Sequence, residues 1–383
     1  MPPASLLSGQ WDSIINRLGQ VADLEATARE FKAFERTGKV ANAVGLLRLA
    51  LMYGPGQLSL RGTAAAAFGV VADISDKAVE GRLRKCGDWL QELLERLLRD
   101  QGRRGGAGAM AVSLVDGSVI SAPGNAARWR LHARYDPATS RFGDLSLTPL
   151  AVGEAANRTR VDRARVLIAD RGYARVRDFS AVLDAGSDFI TRLGWRSVKL
   201  QTSKGKPFDI PAHWPKGKQP KEYQVRVRGV DRILRLVIQR LPTDKAARNE
   251  KRAIRKSASS GHQIDQRTRV AAGYLMVLTS LPEAEQPAAR VLDLYRARWQ
   301  IELSFKRLKT LGGIDKLPSA DPRLARTWLL AHLIVAVLTD ELANQIVGFP
   351  PCKTRGRHRT HVDLAGLGEG PPDDTLRDHA RAA

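Results

Sequence analysis

Two aspartates close apolar runs in this 383-residue chain: Asp116 follows Val112-Ser-Leu-Val115, and Asp170 follows Val166-Leu-Ile-Ala169. An acid directly after a hydrophobic strand emerges at the carboxyl edge of a sheet, where open α/β sheets hold their ligands. Gly117 after the first and Arg171-Gly172 after the second are turn signals, so either aspartate alone also reads as an ordinary turn former. Carboxylate oxygens are the donors that hard divalent cations prefer, which makes metal-assisted chemistry the functional alternative.

A third acid sharpens the case. Between Leu294 and Lys309, 3.6-residue spacing puts Leu294, Ile301, Phe305 and Leu308 on one apolar stripe that should face the core. Tyr295, Arg298, Glu302, Lys306 and Lys309 fall on an adjacent stripe, because offsets of three or four residues return to the same side. An amphipathic helix with a salt-bridged solvent face would also give this pattern. The excess of cations over the single acid, with Tyr295 and Arg298 bordering the core, instead suits a phosphate backbone with one carboxylate reserved for metal.

The elements that must position these acids can be read around them. Strands are expected at Ala111–Val115, Trp129–Tyr135 and Leu145–Leu150, a helix from about Glu154 to Ala164, and a strand at Val166–Ala169. A helix around Val176–Ala185 and a strand at Asp188–Leu193 follow. Residues 195–280 are basic and strand-rich, notably Tyr223–Val230 and Ile233–Arg240, with a basic segment from Lys245 to Lys256 and a buried strand at Tyr274–Thr279. Two long helices, about 288–311 and 322–347, complete the pattern, and the Gly-, Pro- and charge-rich tail at 348–383 is expected to be disordered. Three strands, then helix, strand, helix and strand is the order of a ribonuclease-H-like domain of the α/β class.

Residues 1–100 read as helical, with Gly54-Pro55-Gly56 as a break and Ser75 as an N-cap for a helix running through Arg82, Arg84, Lys85 and Trp89. A short helix, a turn and a basic helix is the outline of a helix-turn-helix that reads the major groove; a packed helical subdomain with a solvated basic face fits equally well. Residues 101–108 form a linker. The expected organisation is therefore a helical DNA-binding domain at 1–100, a catalytic core at 109–194 and 281–347, and a β-rich insertion at 195–280.

Composition narrows the partners. Lysine plus arginine exceed aspartate plus glutamate by 62 to 40, for a formal charge of +22 and a pI near 10.5, which calls for a polyanion, nucleic acid above all. Two cysteines far apart, Cys86 and Cys352, match neither a disulfide framework nor a zinc site. The start lacks a secretory pattern, and the stretch Trp328–Leu338 is too short to span a bilayer, so a soluble cytoplasmic protein is expected. Trp195 and Trp214 in the insertion could stack on an extruded base, although a tryptophan there is more often core.

The motifs resemble a known family. Tyr295, two residues, Arg298, three residues, Glu302, six residues, Lys309 is similar to the signature of DDE transposases of the insertion sequence 4 family, and Asp116-Gly-Ser and Asp170-Arg-Gly-Tyr match the contexts of its first two acids. Ser118 stands where that family often has threonine, which keeps the hydroxyl. The resemblance covers about residues 110–345. It implies a ribonuclease-H-like mixed sheet with a β-rich insertion, two Mg²⁺ (or Mn²⁺) ions held by Asp116, Asp170 and Glu302, and phosphates held by Tyr295, Arg298, Lys306 and Lys309. It also implies a homodimer on double-stranded DNA that excises a transposon at its inverted repeats and joins it to target DNA. A DNA-binding protein without catalysis, and a metal-dependent nuclease that cuts without joining, are the alternatives.

Overall fold

Side-chain caps start the N-terminal helices. The side chains of Asp23, Asn42, Ser59 and Ser75 each accept a backbone N–H three residues on, satisfying a donor that the first turn leaves over. The helices are α1 (Trp11–Gly19), α2 (Leu24–Glu30), α3 (Ala43–Tyr53), α4 (Leu60–Ala67), α5 (Asp76–Leu83) and α6 (Gly87–Arg104). The computed structural model describes residues 11–104, 111–121, 128–310, 312–314 and 317–347. The expected tail at 348–383, and the linker from residue 105, lie outside the described residues. The first part of that expected linker is helical: Gln101 is buried in α6, and its amide donates to Val337 O and Glu341 Oε2.

The expected basic helix through Arg82 and Trp89 is two helices. Lys85 N and Cys86 N bond back three residues, to Arg82 O and Leu83 O, which tightens the chain into a turn between α5 and α6. Cys86 is fully buried there, and burial pushes its thiol up to about 12.

Beyond α6 come β1 (Ala111–Ser121), β2 (Arg128–Asp136), β3 (Arg141–Pro149), β4 (Arg165–Ala169), α7 (Val176–Asp184), β5 (Asp188–Arg192), β6 (Leu200–Thr202), β7 (Lys221–Val227) and β8 (Leu234–Arg240). Then follow α8 (Thr243–Ser259), α9 (Gln266–Ala271), β9 (Tyr274–Thr279), α10 (Ala288–Arg296), α11 (Trp299–Thr310) and α12 (Pro322–Val347). Among the described residues the strands form one mixed nine-stranded sheet, in the order β3-β2-β1-β4-β5-β9-β8-β7-β6. The strands of the 195–280 region thus extend the same sheet through β9. β4 runs parallel to β1 and to β5, with α7 as the crossover, and the other pairings are antiparallel.

Strand alternation sends side chains to two cores, one on each face. Val166 and Ile168 of β4 and Val277 of β9 join the core that also holds the N-terminal helices, α10 and α12. Leu167, Ala169, Met276 and Leu278 join the other, with Phe179 and Val182 of α7. Burial on both faces is why these strands read as near-continuous apolar runs.

Two expected helices differ. The stretch from Glu154 to Ala164 holds only a single 3₁₀ turn, Ala156–Arg158. Its backbone donors go elsewhere: Ala156 N bonds to Asp178 Oδ1 at 2.8 Å and Arg160 N to Asp144 Oδ2 at 2.6 Å, so contacts with neighbouring elements override local propensity. The helix expected at 288–311 breaks at Ala297-Arg298, where Arg298 N, Gln300 N and Ile301 N all bond back three residues. No helix among the described residues is long and apolar enough to cross a membrane.

Candidate active site at the carboxyl edge of the sheet

The parallel ladder of β1 and β4 ends at the pair Val115 and Ala169, so Asp116 and Asp170 are the next residues on two adjacent strands. The sequence expectation of a strand ending at Val115 needs one correction. β1 continues to Ser121, but past Val115 it pairs only with β2, Asp116 facing Ala133. Asp116 therefore lies inside a strand yet at the lip of the parallel sheet. Each aspartate also serves its own backbone: Asp116 Oδ1 accepts from Gly117 N at 2.8 Å, and Asp170 Oδ1 from Gly172 N at 2.9 Å.

Alternation carries both aspartates toward the face that α10 and α11 cover, since Val112 and Leu114, like Val166 and Ile168, belong to that core. The stripe expected to face the core does so: Leu294, Ile301, Phe305 and Leu308 are all buried. Tyr295 and Arg298 go further inward than the border position expected of them, each being 6% exposed. The break after α10 has a consequence for Glu302. Tyr295 sits on α10 and Glu302 on α11, with Arg298 in the turn between them, where its Nη1 donates to Glu302 Oε1 at 2.7 Å.

The electrostatics tie the two sides together. Burial works against the charge of Arg298, but Tyr295, Glu302 and Asp116 overcome it and hold the guanidinium well above its usual range. The Tyr295 phenol is pushed up by burial and by Asp170, against the pull of Arg298 and Arg192. Arg298 thus lies within electrostatic reach of both Glu302 and Asp116, and Tyr295 of Asp170. Lys309 reaches the same neighbourhood, its Nζ donating to Val119 O at 3.0 Å, while Lys306 is exposed on α11.

From the other face of the sheet come Glu154 and Arg130, which the motifs do not contain, and Tyr173, which closes the second motif. Glu154 lies against both aspartate turns: a Cβ at Gly117 would meet its Cγ and Oε1 at 3.0 Å, and one at Gly172 would collide with its Oε2. Arg130 Nη1 is 3.2 Å from Glu154 Oε1. The hydroxyl of Tyr173 is buried with no hydrogen-bond partner among the described residues. Burial, then the charges of Asp116, Glu154 and Asp170, raise that phenol well above its ordinary value. The only sequence signal for Glu154 is the pair of glycines whose missing side chains make room for it.

All the acids at this edge offer carboxylate oxygen, the chemistry of a hard cation. Among the described residues no three His, Cys, Asp or Glu side chains converge on one point tightly enough to hold an ion.

The other expected site residues lie apart. Arg84 pairs with Glu80 at 2.7 Å and Asp321 at 2.9 Å, Lys85 pairs with Glu35 at 2.7 Å, and the Arg82 guanidinium lies 5.9 Å from the Phe34 ring. Trp195 is half-buried, its Nε1 bonded to Thr268 Oγ1 at 3.2 Å and the Arg196 guanidinium 4.2 Å from its ring centre. Trp214 stacks on Tyr274 with ring centres 4.4 Å apart.

The mixed sheet thus carries Asp116 and Asp170 at its lip, each one residue past the β1–β4 parallel ladder, with Glu302 on α11 of the covering face. Residues 108–338 match the family described as transposase DDE domain, and the chain belongs to that family. It is 36% identical over 355 residues to the transposase for insertion sequence element IS421 of Escherichia coli, covering 89% of this chain and 96% of that protein. It is equally similar, 36% over 354 residues with the same coverage, to the InsL protein of insertion sequence element IS186A of Escherichia coli K12. A shorter match, 26% over 195 residues, covers 45% of this chain and 40% of the transposase for insertion sequence element IS231F of Bacillus thuringiensis subsp. israelensis.

Proposed function

We propose that this chain is a DNA transposase that excises an insertion sequence and joins it to target DNA, with Asp116, Asp170 and Glu302 as the ligands of two Mg²⁺ or Mn²⁺ ions. The observation that carries the reading is the β1–β4 register, which ends one residue before each aspartate, beneath the helix that bears Glu302. The strand order β3-β2-β1-β4-β5, an antiparallel meander followed by two parallel strands, supports a ribonuclease-H-like core at 109–194 and 281–347. Residues 1–100 would then recognise the transposon ends, 195–280 would be the insertion, and the linker would begin after Arg104, where α6 ends. The protein would act in the cytoplasm as a homodimer holding two inverted repeats.

In the first step water attacks a phosphodiester at the transposon end, a P–O bond forms as another breaks, and a 3′-hydroxyl leaves. That hydroxyl then attacks a target phosphodiester in the same way. When bound, the cations lower the cost of the attacking and leaving oxygens. The chain's own groups do the positioning. Arg298 holds Glu302 through a charge-assisted hydrogen bond, and so would orient the carboxylate that would serve as a metal ligand. Tyr295, Lys306 and Lys309 hold phosphates on the α11 side. Tyr173 brings a hydroxyl that stays protonated to the other side, where Glu154, clasped by Arg130, adds negative charge outside the ligand set. Trp195 or Trp214 would receive an extruded base.

The test uses duplexes carrying the repeats that flank the gene, incubated with Mg²⁺. Nicking followed by joined product is the expected result. Nicking without joining would favour the nuclease, and end binding without nicking the inactive binder.

A further inference from the structure

Helix α8 has 17 residues and none of them is buried. At 100° per residue, Lys245, Arg248, Lys251, Arg252, Arg255 and Lys256 fall within an arc of about 140°. The opposite side carries Ala246, Asn249, Glu250, Ala253 and Ser257, all partly buried. That side packs toward α9: Asn249 Nδ2 donates to Ala272 O at 3.4 Å, and Arg269 Nε donates to Glu250 Oε1 at 2.8 Å. α9 is tied in turn to the segment after β5, by Trp195 to Thr268 and by the ion pair of Arg196 with Asp265. The hairpin is anchored through α9, and the cationic face of α8 looks outward.

A solvated helix face usually intersperses acids, since like charges three or four positions apart destabilise a helix by a few tenths of a kcal/mol each. α8 places Lys251 three residues from Arg248 and four from Arg255 on that face, and Asp244 is paired to Arg248 at 2.8 Å. A face so rich in one sign of charge suits a polyanion.

Topology says which one. α8 leaves β8 at Arg240, and the hairpin re-enters at Tyr274 of β9, its register partner. β9 runs antiparallel to β5, which is parallel to β4, so this connection hangs from the same sheet edge as Asp116 and Asp170. β9 and β8 are two and three strands from β4, roughly 10 and 14 Å, and α8 itself is about 25 Å long.

We propose that α8 is a phosphate clamp for the duplex being cut, gripping its backbone about three to seven base pairs from the phosphodiester at the carboxylates, at roughly 3.4 Å per pair. This rests on the DNA-transposase reading. The test is K251Q/R255Q/K256Q, which keeps helix-forming side chains, and the readout is binding of an end-bearing duplex over a salt series without Mg²⁺. Three lost phosphate contacts should reduce the log-log salt slope by about 2.7 and weaken binding by about tenfold or more near physiological salt. The melting temperature should hold. A footprint of hydroxyl-radical protection should disappear over those base pairs only.

R163Q/R228Q removes exposed cations before β4 and after β7, at the opposite edge, and should leave slope and footprint as they are. A wild-type slope in the triple variant, or an equal loss per charge in the control, overturns the clamp. Should the triple variant melt early, K251Q and K256Q singly, each worth about 0.9 in slope, decide the matter. Wild-type protein that binds ends but never nicks them would sink the transposase reading and leave the slope to judge α8.

Discussion

At one edge of one sheet this chain uses charge in two opposed ways. Around Asp116, Asp170 and Glu302, charges of both signs are packed against each other out of water: Arg298 is 6% exposed, bonded to Glu302 and within reach of Asp116. On α8, cations gather on one exposed face, Lys251, Arg255 and Lys256 among them. Helix α5 and the turn after it show that basic sequence alone does not separate the cases, since Arg84 and Lys85 are drawn onto Glu80, Asp321 and Glu35. Exposed charge interacts over a Debye length and is screened by salt, whereas buried charge is barely screened and answers to protons and to the loss of a neighbour. The contrast is testable from both sides.

The largest effect belongs to the carboxylates. D116N, D170N and E302Q keep size and remove the charge a hard cation needs, which should cost about 4 kcal/mol in the transition state, roughly a thousandfold in nicking. End binding should survive, because the proposed phosphate contacts are made by cations and not by these acids. Thermal melts beside nicking assays separate this from a structural role: a cutter that nicks at wild-type rate but melts early returns these acids to turn-forming.

Next comes Arg298. R298M leaves Glu302 without its buried partner and should lower stability by about 3 kcal/mol, where K251Q on α8 should lower it by nothing measurable. Adding E302Q to R298M should recover part of the loss, a coupling that a double-mutant cycle reads directly. Additive losses would mean that the pair does not hold the α10–α11 turn.

Protons give the third contrast. Burial holds His132 down to about 4, helped by Arg130 and Arg158, and burial holds His332 at about 4 as well. Both folded values lie below the unfolded 6.5, so the unfolded chain binds more protons between pH 6.5 and 4. Stability therefore falls as pH falls through that window, by up to roughly 3 kcal/mol per histidine. Urea melts at several pH values should show the fall, with H332Q flattening it, and added salt should change it little. A flat profile would mean that these rings protonate inside the fold.

Trp195 and Trp214 test whether half-buried aromatics serve core or ligand. If Trp195 stacks on an extruded base, W195A should impair excision by about 1–3 kcal/mol at nearly unchanged melting temperature. W214A should instead melt early, because it loses the stack on Tyr274. Early melting by both would assign both to packing.

The placement of the candidate acids on their elements was legible because its signals are local. An acid after Val-Ser-Leu-Val or Val-Leu-Ile-Ala needs only strand periodicity, and Glu302 needs only helical spacing. What was illegible depends on distant partners. The break at Ala297-Arg298 has no glycine or proline to mark it, and it follows from burying Arg298 beside Glu302 and Tyr295. The missing helix after Glu154 was decided by Asp178 and Asp144, which take its backbone donors. The basic run at 245–256 gave charge but not direction, which comes from packing on α9.

Glu154 is the residue that periodicity could not find, and it should give the smallest effect. It touches both aspartate turns at Gly117 and Gly172, yet Arg130 holds one of its oxygens. A carboxylate so placed adds to the negative field without joining the ligands, so E154Q should weaken Mg²⁺ binding by about 1 kcal/mol, roughly fivefold in the Mg²⁺ midpoint. Maximal nicking at saturating Mg²⁺ should be nearly wild type. Calorimetric titration of Mg²⁺ into the protein–DNA complex checks the affinity apart from turnover, and R130Q should shift it the opposite way by releasing the clasp. A nicking defect as deep as that of D116N, unrelieved by Mg²⁺, would make Glu154 a ligand. An unmoved midpoint would make it an ordinary ion pair, and the buried side of the comparison would then shrink to the three motif acids with Arg298 and the two tyrosines.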